Sequence, residues 1–184
     1  MQYAIDTLGG LPAHPAIVHI PVVMVPVAFV LAALAIRPGF RAWALPSAVV
    51  SSLVGLVGAL LAGGTGEALQ NSVERTALVR NHIRAADRVN VFLVPFTVLI
   101  IAALVVHWAR QGTIPFTSRI TRITDAVVPR VTRWSARTVT AVIAVTAVIG
   151  AFASWAVYDA GHSGAKSVWH DVKIVPENHG DNDD

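Results

Sequence analysis

The chain contains no cysteine, which excludes disulfides, thiolate nucleophiles, cysteine-ligated zinc and iron–sulfur ligation through its own residues. Charge is also scarce. Asp, Glu, Lys and Arg make up 14% of the 184 residues, against about 25% in soluble domains, while 54% are hydrophobic and the mean hydropathy is +0.61. This is the composition of a membrane protein. The arginines behind the net charge of +3 are not interleaved with aromatics in a foldable soluble module. The expected partner is therefore the lipid bilayer, and nucleic acid is not expected. Neither a Gly-rich phosphate loop nor a Gly-x-Ser-x-Gly elbow occurs, and Ser163 beside His162 makes no triad.

What is present is four long apolar runs. A hydrocarbon layer of about 30 Å takes about 20 apolar residues as helix, and residues 16–36, 44–63, 89–108 and 138–158 meet that length without one Asp, Glu, Lys or Arg. The absence of charge argues against an ion or proton pathway through the helices. The first run exceeds the apolar core of a signal peptide and is expected to be a retained anchor. In the second, Ser51, Gly55, Ala59 and Gly63 recur every four residues and predict a seam for close helix approach. Ala147–Ala151 and Gly150–Ser154 repeat the idea in the fourth. Short connections predict an all-α fold, an up-down-up-down four-helix membrane bundle. It is flanked by an extracytoplasmic segment (1–15) and an extracytoplasmic polar tail (159–184).

Loop charges orient the bundle. Arg37, Arg41, Arg110, Arg119, Arg122, Arg130, Arg133 and Arg137 fall on one side, and Arg75, Arg80, Arg84, Arg88, Lys166 and Lys173 on the other. Eight against six, with an uncharged start before Arg37, places both termini outside a cell membrane. Between helices three and four, Ile120, Ile123, Val127 and Val131 at spacings of three and four predict an amphipathic helix in the inner interface.

That topology sorts the seven histidines. His14, His19, His82 and His162 gather at the outer face, joined by Glu67 and Asp87, whereas His107 lies at the inner end of helix three and His170 and His179 in the tail. Imidazoles with carboxylates suit a transition metal, copper, zinc or iron. His19 with His82 or His162 would alternatively hold a single haem b. A two-haem wire is not expected, because His82 and His107 stand about 37 Å apart along a continuous helix, more than the hydrocarbon thickness, and the inner face offers His107 no partner histidine. Metal-assisted hydrolysis with Glu67 or Asp87 as general base is a further chemistry the set permits.

His14-Pro15-Ala16-Ile17-Val18-His19-Ile20-Pro21, then Thr65-Gly66-Glu67, His82, and Gly161-His162-Ser163-Gly164-Ala165 with Trp169 resemble the bacterial membrane-protein family catalogued as domain of unknown function 2231. The resemblance covers all four helices and implies the four-helix fold but no assigned activity. Some members are joined to a Rieske iron–sulfur domain, which implies redox company that this chain has no cysteine to supply itself. Two functions are expected from the whole. One is a metal or single-haem site at the outer face, for redox or metal handling with a membrane redox or envelope protein partner. The other is a non-catalytic scaffold or accessory subunit.

Overall fold

The computed structural model describes residues 7–70, 72–112, 129–130 and 133–172. A minimal hairpin opens the chain, β1 (Thr7–Leu8) paired antiparallel with β2 (Leu11–Pro12). Gly9 and Gly10 form its two-residue turn at φ of 59° and 82°, the left-handed values that such a turn requires. Helices follow: α1 (His14–Ile17), α2 (His19–Leu34), α3 (Arg41–Gln70), α4 (Ala77–Gln111) and α5 (Ala136–Trp169). Apart from turns, the described residues are otherwise helical, and four helices among them are long and apolar enough to cross a membrane, with α1 and α2 counted together.

Local chemistry sets the ends. Thr76 accepts from the Val79 N–H at the start of α4 and Ser135 from the Thr138 N–H at the start of α5, each satisfying an orphan donor of the first turn. Gly112 ends α4 in the left-handed conformation at φ 68°, as a helix C-terminus favours. The helices outrun the apolar segments: α3 continues past residue 63, α4 begins well before 89, and α5 runs through Asp159–Trp169, where a polar tail was expected. The amphipathic helix expected around Ile120, Ile123 and Val127 lies outside the described residues, as does His179.

α2 packs on α3 and α5, and α4 packs on α3 and α5. The interior is built from small residues around a few large ones: Phe96, Leu45, Leu93, Ile100 and Ile143 are fully buried, with Ala28, Ala32, Ala48 and Ala153 among them. Val23, Val30, Val57, Val98 and Phe152 point outward, each more than half exposed. A surface apolar on this scale belongs against lipid, and small residues inside let helices approach where lipid leaves no hydrophobic drive between them.

The seam on α3 differs from the one expected. Ser51, Gly55, Gly58, Ala62 and Thr65 are buried, while Ala59 is half-buried and Gly63 exposed. A ladder of strict fours drifts about 40° per step on a helix of 3.6 residues per turn, so it leaves the interface within three steps; alternating fours and threes stay on it. At Gly55 and Gly58 an added Cβ would stand 2.8 Å from Val25 Cγ2 and 2.5 Å from Ile20 Cγ2.

Arg41, expected as a topology signal, is 7% exposed. Its guanidinium donates to the carbonyls of Ala35 and Ile36 and to Thr140 Oγ1, at 3.1, 3.3 and 2.8 Å. It satisfies carbonyls left open at the end of α2 and ties that end to α5.

Candidate functional site

Pro21 shapes the first half of the site. Its nitrogen has no hydrogen for the Ile17 carbonyl and its ring crowds that oxygen, so the helix is interrupted at Val18, between α1 and α2. His14 opens α1, and its Nδ1 lies 2.9 Å from the carbonyl oxygen of Ala62 on α3. A carbonyl only accepts, so Nδ1 carries the proton and donates. In the neutral ring, Nε2 is then the nitrogen with a free lone pair. Gly66, one turn past Ala62, forms the floor, where an added Cβ would stand 3.1 Å from His14 Cε1 and 3.2 Å from Nδ1. Thr65 lies between them, its hydroxyl donating to Leu61 at 3.0 Å and lying 3.2 Å from the Ala62 oxygen.

The second half repeats this arrangement on α4 and α5. His82 Nδ1 donates to the Ala160 carbonyl at 3.0 Å, and Gly164, one turn on, would bring a Cβ to 3.1 Å from Cε1 and 3.2 Å from Nδ1. Ser163 takes the place of Thr65, donating to the Ala160 oxygen at 2.9 Å and standing 3.4 Å from His82 Nδ1. Each half is a clasp: a histidine of one helix, a carbonyl and a glycine one turn apart on the next. The two clasps share a sequence pattern, Ala-Gly-x-(Thr/Ser)-Gly, in Ala62-Gly63-Gly64-Thr65-Gly66 and Ala160-Gly161-His162-Ser163-Gly164. That repeat is the signal the sequence reading passed over. Histidine and carbonyl are separated by 48 positions in one half and 78 in the other, so no fixed period exposes it.

The two clasps meet at their rings. The centroids of His14 and His82 are 6.2 Å apart, with planes inclined at 72°. Metal–nitrogen bonds of about 2.0–2.1 Å, with a ring nitrogen roughly 1 Å from its ring centre, put two imidazole centres on one ion about 5 Å apart at a tetrahedral angle and about 6 Å apart when the nitrogens stand opposite each other; 6.2 Å corresponds to the opposed arrangement. A histidine that donates its other N–H to a carbonyl is the arrangement that orients metal-ligating imidazoles.

Among the described residues, no three His, Cys, Asp or Glu side chains form a group that could hold a metal ion. His19 is exposed in the first turn of α2, and Glu67 and Asp87 are exposed on α3 and α4. His162 stacks on Tyr158, centroids 5.8 Å apart and planes within 7°. Among the expected ligands, the ring contact is between His14 and His82, while His162 stacks on Tyr158. Helix phase is the reason. His162 stands two residues from Gly164, about 200° round the helix, so it turns away when Gly164 lies under His82. His19 is five residues beyond His14 and across the break at Val18, and Asp87 five beyond His82. At the opposite end of α4, His107 Nε2 accepts from Gln111 at 3.3 Å. His170, just past α5, is ion-paired with exposed Asp171 at 3.0 Å when protonated.

Comparison of the chain with protein-family models, with curated proteins and with solved structures returns no match.

Proposed function

We propose that this protein is a four-helix, up-down-up-down bundle of the cell membrane, with both termini extracytoplasmic. In this reading it holds one transition metal ion between His14 and His82 for redox or metal handling at the envelope. The observation that carries the proposal is the pair of imidazoles, each with Nδ1–H fixed on a backbone carbonyl and Nε2 left free, with centroids 6.2 Å apart. Copper, zinc and iron are the ions that imidazole suits. With two protein ligands, the remaining positions are open to water or to a ligand brought by a partner, as in catalytic rather than closed structural sites.

Helix placement supports the membrane part of this reading. Trp134, just before α5, and Trp155 within it are 21 positions apart, about 31 Å at 1.5 Å per residue, close to the hydrocarbon thickness of about 30 Å. Aromatics favour the two interfaces, which supports a placement of the His82 clasp, at Ala160–Gly164, just beyond the hydrocarbon. An inner-interface helix around residues 120–131 and membership of the family catalogued as domain of unknown function 2231, which the chain resembles, belong to the same proposal. His14, His82 and Gly164 lie within the stretches that carry the resemblance.

A second reading has its own observation: each histidine already ties two helices by a hydrogen bond, which needs no ion. On that reading the protein is a non-catalytic scaffold or accessory subunit. Purification in detergent, with metal analysis by mass spectrometry and absorption spectra before and after dithionite, decides between them. One ion per chain that is lost in His82→Ala supports the metal site, and a Soret band that is lost or shifted in both His14→Ala and His82→Ala assigns haem b to the same two nitrogens. Neither metal nor Soret band leaves the scaffold.

A further inference from the structure

Beside the His82 clasp, on the α4/α5 side, Asn81, Arg84, Ala85, Arg88, Asp159 and Ser163 line an open groove of about 430 Å³, within the roughly 300–1,000 Å³ of small-molecule sites. Its polarity is peculiar to this half. Asn81, Arg84 and Arg88 stand one before, two after and six after His82; the same offsets from His14 give Ala13, Ala16 and Ile20. Asp159 precedes Ala160 as Leu61 precedes Ala62. The clasp forms in the first half with apolar residues at all four positions, so the charges of the second half are not needed to build it.

Those charges are arranged with one cation in excess. Arg88 donates to Asp159 at 2.7 Å and lies over Trp155, 5.8 Å from its ring centroid. Arg84 donates to the neutral Asn81 side chain at 2.5 Å, so its charge is not cancelled and most of its donors remain for a ligand. Asp159 holds Arg88 in place, and the two guanidiniums on one helix face, one turn apart, match the fork geometry by which arginine takes phosphate oxygens. An apolar strip adjoins the groove: Phe92 stacks on Phe152 across the α4/α5 seam with centroids 5.7 Å apart, and Val91 and Trp155 are exposed.

We propose that this groove binds a phosphate ester anion on Arg84 and Arg88. The phosphodiester of a phospholipid, with its acyl chains along the Phe92–Phe152 strip, and a small soluble phosphate ester supply the same chemistry. The groove shares Ser163 with the His82 clasp, but the two arginines that would hold the anion are separate from the proposed ion site.

The test uses the full chain purified in detergent and native mass spectrometry with three probes: short-chain phosphatidylglycerol, glycerol phosphate and inorganic phosphate. Arg84→Gln is expected to weaken binding by about tenfold or more, the cost of a lost charge-assisted bond. Arg84→Lys is expected to recover part of it, and Arg80→Gln, which removes the same charge one turn outside the groove, to leave it unchanged. Preference for phosphatidylglycerol assigns the lipid source, and equal binding of glycerol phosphate assigns the soluble one. No binding of any probe, or equal losses in Arg84→Gln and Arg80→Gln, overturns the proposal. Metal content of Arg84→Gln stays at the wild-type level, so failure here and failure of the metal reading are told apart.

Discussion

The two helix pairs build the same clasp in different surroundings. In the first, His14 reaches Ala62 and lies on Gly66, with Ala13, Ala16, Ile20 and Leu61 where the second carries its groove residues; in the second, His82 reaches Ala160 and lies on Gly164 beside two arginines and an aspartate. What is common to both halves is what the clasp requires: a ring donor, a carbonyl acceptor and a residue without a side chain one turn away. What differs has to be explained by something other than the clasp, and a ligand specific to the second half is the explanation tested above.

The largest expected effect removes a ring. His14→Ala and His82→Ala should each lower metal affinity at least as much as the roughly 10–100-fold that loss of an outer-sphere partner costs, measured by metal content after dialysis. Equal losses confirm that the two rings serve one ion; retention of the ion in either variant would sink the shared site. Next come the floors. Gly66→Ala and Gly164→Ala each place a Cβ about 3.1 Å from a ring. The strain of about 1–3 kcal/mol for overpacking is partly offset by about 1 kcal/mol of helix preference for Ala over Gly. Thermal unfolding followed by circular dichroism in detergent should show two similar, modest losses, and a clear inequality would break the equivalence of the halves. Smaller still, Thr65→Ala and Ser163→Ala each remove a hydroxyl bond worth roughly 0.5–1.5 kcal/mol. Ser163→Ala should also loosen His82, read as faster exchange of its Nδ1 proton by NMR, because Ser163 alone of the pair has its hydroxyl within 3.4 Å of the ring. The least effect on stability is expected from Arg88→Gln, since the ion pair with Asp159 is exposed at the arginine and only partly buried at the carboxylate, and pairs near the surface contribute about 0–1 kcal/mol. A larger loss in unfolding temperature would mean that the groove helps hold α4 to α5.

The clasps were only partly legible in the sequence. His14 and His82 could be placed at one end of the bundle from the boundaries of the apolar runs, but those boundaries mark hydrophobicity, not helix ends. Asp159–Trp169 is polar and helical, so by composition His162 falls in a polar tail beginning at residue 159, whereas its direction is set by the phase of α5. Arg41 shows the same limit at the other end: its charge pointed to a membrane side, while its use is to satisfy Ala35 and Ile36 and reach Thr140, 99 positions away.

The sequence by itself determined four long apolar helices, the exclusion of cysteine chemistry and the enrichment of small residues where helices meet, because composition and period are local properties of a chain. The tertiary structure decided which histidines converge. His14 and His82 meet only through the register of four helices, and the choice between Gly63 and Gly66, or between His162 and Gly164, is a rotation about a helix axis that packing alone settles.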